Sequence, residues 1–148
     1  MYVQKWIDNK TSENRQLVVD DELEQLALSL NRLARIIYEG NKANGFWTDL
    51  KTGLPVEPTL PNIMTKLMLI VTEVAEAAEG VRKDLFDDHL PYRTMFETEL
   101  ADALIRILDA AGGLGLDIGR AVVEKLVYNR SRQDHKIETR MAEGGKKV

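Results

Sequence analysis

The chain has 148 residues, enough for one compact domain and short for two, and its 44% hydrophobic and 30% charged residues are the balance of an ordinary soluble globular protein. A net charge of -4 and a pI near 5.3 argue against a dedicated binder of nucleic acid or of anionic membranes, which needs a basic surface. The absence of cysteine excludes disulfides, thiolate metal sites and cysteine nucleophiles, and His89 and His135 are too few for an imidazole-rich centre, so any metal site must be built from oxygen.

In chain order, Met1 to Arg15 is polar and mixed in charge, with no apolar core of a signal peptide. The longest apolar run, Ala110 to Leu116, is too short to span a bilayer, so a cytoplasmic protein that does not engage membranes is expected. Residues 1–20, with Trp6, read either as a strap packed by its indole or as a short extra helix. From Asp21 onward, Leu23, Leu26, Leu30, Leu33 and Ile37 recur at steps of three and four, which predicts a helix over about 22–42. Asp21 with Glu24 reads as its capping box, and Gly40 and Asn44-Gly45 as its end.

Gly45 to Pro61 carries turn chemistry together with two bulky rings, Phe46 and Trp47. A second helix is expected from near Thr59, with Pro61 in its first turn, to about Lys83. Asp87-Asp88 and Pro91 mark a turn and restart, so the third helix is expected over about 91–111, ending in Gly112, Gly113 and Gly115. Asp117 can cap a fourth that reaches Gln133 or beyond. The expected architecture is all-α: an antiparallel four-helix bundle over 21–138, with the N-terminal strap and a mobile tail over 139–148, in one domain.

Glu73 and Glu76 sit three apart on the second helix, and Glu99 and Asp102 three apart on the third, a spacing that puts each pair on one helix face. Two such pairs on facing helices converge four carboxylates, which is tolerable only if cations neutralise them, and oxygen ligation at that charge density suits Mg2+ or Mn2+. Spacing alone proves little, because the five acidic pairs at this interval are about what chance gives and a solvated face is the plainer reading. The setting is more telling. Both pairs interrupt strongly apolar stretches, Leu67 to Ala78 and Leu100 to Ile105, where charge is costly unless paired or metal-bound. Arg106 and Asp109 extend the third helix's polar stripe. On the fourth helix Lys125, Asn129 and Arg132 share one face that Lys136 continues, either a solvated stripe or a site for phosphate oxygens.

The strings LIVTEVAEAAEG (Leu69 to Gly80) and ELADALIRILDAAGGLGLDIGRAVVEKLVYNRSR (Glu99 to Arg132) resemble the MazG-like, all-α nucleoside triphosphate pyrophosphohydrolases. That family's ExxE, spacer, ExxD pattern reads here as Glu73-x-x-Glu76, 22 intervening residues, and Glu99-x-x-Asp102. The downstream Lys, Asn, Arg run falls on Lys125, Asn129 and Arg132, and Gly45-Phe46-Trp47 looks like the GFW stretch of phage-type members. Gln133-Asp134-His135-Lys136 departs from the glycine-bearing segment that follows the arginine in many relatives.

The resemblance implies Mg2+-dependent cleavage of the α–β phosphate bond of (d)NTPs to a monophosphate and pyrophosphate. It implies Glu73, Glu76, Glu99 and Asp102 as metal ligands. The charge arrangement adds a mechanism in which Glu76 or Glu79, on the same side of the helix as the ligands, accepts the proton of the attacking water. Lys125 and Arg132 would hold phosphates and Asn129 the sugar or base. Trp47 would either stack on the base, a contact worth about 1–3 kcal/mol in other sites, or anchor its loop in the core. A homodimer or homotetramer is implied as well. Two alternatives stand beside this reading: a phosphoribosyl-ATP pyrophosphohydrolase-like enzyme, and a non-catalytic helical interaction protein with an acidic seam. A ferritin-like di-iron protein is disfavoured, because neither Glu73 nor Glu99 has histidine at the third position.

Overall fold

A computed structural model describes residues 21–144; the expected strap with Trp6, and the last four residues of the expected tail, lie outside the described residues. The described residues form α-helices α1 (Asp21–Ala43), α2 (Leu60–Lys83), α3 (Met95–Gly113), α4 (Ile118–Ser131) and α5 (Ile137–Met141), with a 3-10 turn at Gln133–His135. Two isolated bridges, Thr48 with Pro55 and Phe86 with Thr94, are the β-type pairing among them. The all-α expectation therefore holds. No helix of the described residues is long and apolar enough to cross a membrane.

These residues sort into two compact units, 32–116 in one and 21–31 with 117–144 in the other, and α1 runs through both. In the first unit, α2 and α3 form an antiparallel hairpin. Met95 lies against Gly80, Arg106 reaches Glu73, and Lys66 reaches Asp109, so sequence positions pair in reverse order along the two helices. Thr59 caps α2, its hydroxyl accepting from the amide of Asn62, with Pro61 where a missing N–H costs nothing.

The third helix begins later than the expected 91. Thr94 and Glu97 make a full capping box, and Asp87 accepts the amides of His89 and Leu90. These local bonds hold residues 85–94 as a loop and reset the helix start to Met95. The described part of α1 starts at Asp21, and Glu24 in its first turn pairs with Arg120.

The interior of this unit is built from small residues, Ala34, Ala77, Ala103 and Ala111, with Leu108 and Trp47. Trp47 fixes the 44–59 loop. Its indole N–H donates to Asp109 Oδ1 at 2.8 Å, Tyr38 meets it edge-on at 5.3 Å, and the Val56 amide donates to its carbonyl. A Cβ at Gly113 would lie 2.1 Å from the ring, so only glycine admits the indole there.

In the second unit the N-terminal part of α1 crosses α4 around Leu23, Ala27 and Val123, with Val127 packed against them. Gly119 permits the approach, since a Cβ there would be 2.0 Å from the carbonyl oxygen of Ala27. Asp117 caps α4 as expected, and Asn31 ties the crossing by donating to Asp117 and accepting the Gly119 amide. The helix stops at Ser131, earlier than the expected Gln133. Arg132 is extended and its guanidinium binds Asp134 through two N–H groups.

The hairpin leaves a broad apolar surface uncovered. On α2 the side chains of Met64, Leu67, Met68, Val71 and Val74 stand in solvent, and on α3 those of Phe96, Leu100, Leu104 and Ile107.

Candidate metal centre

Glu73 and Glu76 of α2 and Glu99 of α3 bring one carboxylate oxygen each to within 4.8 Å of one another. The helices place them there for a simple reason. Ala77, one turn beyond Glu73, and Ala103, one turn beyond Glu99, are both buried, so the backbones approach closely and the longer glutamates fill the seam. Glu73 and Glu99 are buried, while Glu76 faces outward.

Carboxylates gathered at this separation repel one another. Glu99 is pushed up to about 7, first by burial, then by its hydrogen bond to Glu73 and by the charges of Glu76, Glu73 and Asp102. Asp102, one turn along α3, is exposed and also raised, by residual desolvation first and the charge of Glu73 next, with Arg106 opposing. One cation partly neutralises the group: Arg106 Nε donates to Glu73 Oε1 at 2.5 Å. An oxygen-only donor set whose Glu99 is raised by burial and by its acidic neighbours is short of positive charge, and a hard divalent cation fits it.

Beside this group lies a cavity of about 270 Å³, lined by Asn41, Phe46, Lys66, Leu69, Ile105 and Asp109 together with Asp102 and Arg106. Its walls carry two cations, Lys66 and Arg106, and two acids, Asp102 and Asp109. Lys66 is held by Asp109 at 3.0 Å and lies 3.7 Å from the centre of the Trp47 ring. Asp109 is buried and its two oxygens are divided between Trp47 and Lys66. Phe46 is the exposed ring of the pair Phe46-Trp47.

The residues anticipated from sequence are distributed as follows. Glu73, Glu76 and Glu99 come together, with Asp102 at their edge and lining the cavity. Glu79 turns away to Arg82 and Lys83, and the Arg82 bond foremost holds its carboxyl down at about 2. Trp47 is buried, with Lys66 over its ring and Tyr38 at its edge, which is the anchoring arrangement rather than a ring open for stacking. Lys125, Asn129 and Arg132 belong to the other unit. There, Lys125 and Arg132 both flank the ring of Tyr128, and the side-chain oxygen of Asn129 is buried without a hydrogen-bond partner among the described residues.

Lys66, Asn41 and the cavity role of Phe46 were not anticipated. Lys66 carried a signal, since it lies seven residues before Glu73, two turns up the same face of α2. Asn41 carried none, because its place on the cavity wall depends on the path of the 44–59 loop. Compared with protein-family models, with curated proteins and with solved structures, the chain matches none.

Proposed function

We propose that this chain is a divalent-cation-dependent nucleoside triphosphate pyrophosphohydrolase that cleaves the α–β phosphate bond, built on a MazG-type helical bundle. One observation carries the reading: three carboxylates from two antiparallel helices meet within 4.8 Å beside a cavity walled by Lys66 and Arg106. Carboxylates that collect cations, next to cations that collect anions, suit a metal–polyphosphate substrate. The sequence resemblance supports the same conclusion independently.

In this reading Glu73, Glu76, Glu99 and Asp102 hold Mg2+, or Mn2+ in its place, and the ion when bound supplies charge neutralisation and a more acidic water. Glu76 is a better proton acceptor than Glu79, whose carboxylate is committed to Arg82 and Lys83. The cavity, walled by Phe46, Leu69 and Ile105 with Asn41 as a polar handle, is of a size for one base or sugar. Lys66 and Arg106 bind phosphate oxygens there. Lys125, Asn129 and Arg132 keep their proposed roles toward phosphate and sugar by resemblance alone. The exposed stripes on α2 and α3 support assembly as a homodimer or homotetramer.

Pyrophosphate release from a panel of canonical and damaged dNTPs, with phosphoribosyl-ATP as a further substrate, tests the reading. Turnover of at least one dNTP that requires Mg2+ and is lost in Glu73→Gln is expected. Release from phosphoribosyl-ATP alone would move the chain to that neighbouring activity. No release from any nucleotide, with no metal binding, would leave an acidic interaction module.

A further inference from the structure

We propose, on the reading of the site as a metal-dependent phosphoanhydride centre, that Arg106 changes partners: it neutralises Glu73 while the carboxylates lack a metal, and it transfers to the substrate's phosphate chain once they are loaded. Arg106 is the one residue among those described that both pairs with a member of the carboxylate group and contributes a cationic side chain to the cavity wall. The ion pair engages its Nε, and no hydrogen bond to its two terminal amino groups is found among the described residues. A guanidinium offers five donors in a planar fork, so most of its capacity remains available to phosphate oxygens.

Burial says which partner moves. The Glu73 side chain is 8% exposed and that of Arg106 41%, so the carboxylate is fixed in the seam and the guanidinium is at its border. Lys66 contrasts with it: it is 19% exposed, bonded to Asp109 and seated on the Trp47 ring, a cation with a settled position. A divalent ion on the Glu73 carboxylate, whichever oxygen it takes, repels the guanidinium that Oε1 holds at 2.5 Å. Loading the carboxylates with divalent charge therefore weakens the Arg106 contact and leaves its cationic head beside the cavity, where an anionic phosphate is the nearest compensation. Arg106 thereby links the two binding events, opposing metal in the empty site and favouring substrate in the loaded one.

The test measures Mn2+ affinity by electron paramagnetic resonance, and the affinity for an unreactive α,β-imido nucleoside triphosphate at saturating Ca2+, on the whole chain. Arg106→Met is expected to bind Mn2+ at least threefold more tightly than wild type and the Ca2+-loaded analogue at least tenfold more weakly. Arg106→Lys, which keeps a competing cation, is expected near wild type for Mn2+. Arg82→Met removes the same charge from an exposed pair at Glu79 and is expected to change neither affinity. Should Arg106→Met not fold, Arg106→Gln supplies the same readout. Weaker or unchanged Mn2+ binding in a folded variant, or undiminished analogue binding, overturns the assignment of Arg106. A wild-type chain that binds neither Mn2+ nor the analogue overturns the reading of the site itself, and the exchange with it.

Discussion

Trp47 and Asp109 are joined by a 2.8 Å hydrogen bond between two buried side chains 62 residues apart. It ties the 44–59 loop to the helix that carries Glu99, Asp102 and Arg106, so a structural anchor and the cavity wall share one carboxylate. Trp47→Phe keeps the ring and removes the donor, leaving Asp109 to Lys66 alone. A buried acceptor that loses a partner costs about 1–3 kcal/mol. A drop of that size in urea denaturation is expected for Trp47→Phe. Gly113→Ala should lose at least as much, because its methyl would lie 2.1 Å from the indole. Near-wild-type stability of both variants would show that the loop is not held through this contact.

The raised Glu99 carboxyl makes a prediction about pH with a definite sign. Its folded-state value is about 7 against an ordinary 4.5, so between those values the native state binds more protons than the unfolded chain. Stability is then expected to fall as pH rises from about 5 to 8 in metal-free buffer, by up to about 3 kcal/mol. Asp102, also raised, adds in the same direction. Glu79, Asp49, Asp87, Glu97 and Asp134 are all lowered, so their contribution is lost only on acidification below about pH 5 and does not cancel the trend. Glu99→Gln, a permanent mimic of the protonated form, should flatten the dependence. Mg2+ should restore most of the lost stability at pH 8, where Glu99 has given up its proton. A midpoint that rises steadily from pH 5 to 8 without metal would contradict the crowding of these acids.

Much of this was legible in the linear sequence, and the parts that were not share a cause. Helix stripes and caps are local, so Thr59, Asp117 and the glycines after Ala111 marked ends within a residue or two. The start of α3 was missed because Pro91 is permissive at a helix start, whereas Thr94-x-x-Glu97 satisfies two backbone donors and prevails. The meeting of Glu73, Glu76 and Glu99 followed from periodicity plus an apolar setting. The commitment of Glu79 to Arg82 and Lys83 is equally local, at spacings of three and four. Trp47 could not be placed from sequence at all. Its burial depends on Asp109 and Gly113, more than sixty residues away, and no local pattern encodes that pairing.

Those two glutamates on α2 separate the proposed roles experimentally. Glu76 belongs to the carboxylate group and Glu79 to a surface network with two cations. If Glu76 accepts the proton of the attacking water, Glu76→Gln should lower turnover about 10²–10⁴-fold, the usual contribution of a general base. Glu79→Gln should stay within about threefold of wild type by the same reasoning, since an acid held near 2 by arginine and lysine is a poor base. Steady-state pyrophosphate release at saturating Mg2+ checks both. Loss of turnover in Glu79→Gln with Glu76→Gln active would exchange their roles.

The uncovered apolar side chains of the hairpin lead to a prediction about assembly. Val71 on α2 and Leu104 on α3 are both about half exposed, within stripes that recur at helical spacing: Met64, Met68 and Val71 on one helix, Phe96, Leu100 and Leu104 on the other. A surface of this kind is costly in water and is expected to be covered by a second copy of the chain. Val71→Glu and Leu104→Glu place a charge in that surface without touching the carboxylate group. Light scattering should show wild type as a dimer or tetramer and both variants shifted toward monomer, with helical circular dichroism retained. If activity falls in step with dissociation, the assembled form is the competent one. A wild-type chain that stays monomeric at high concentration would leave the α2 and α3 stripes to some other partner and remove assembly from the proposed function.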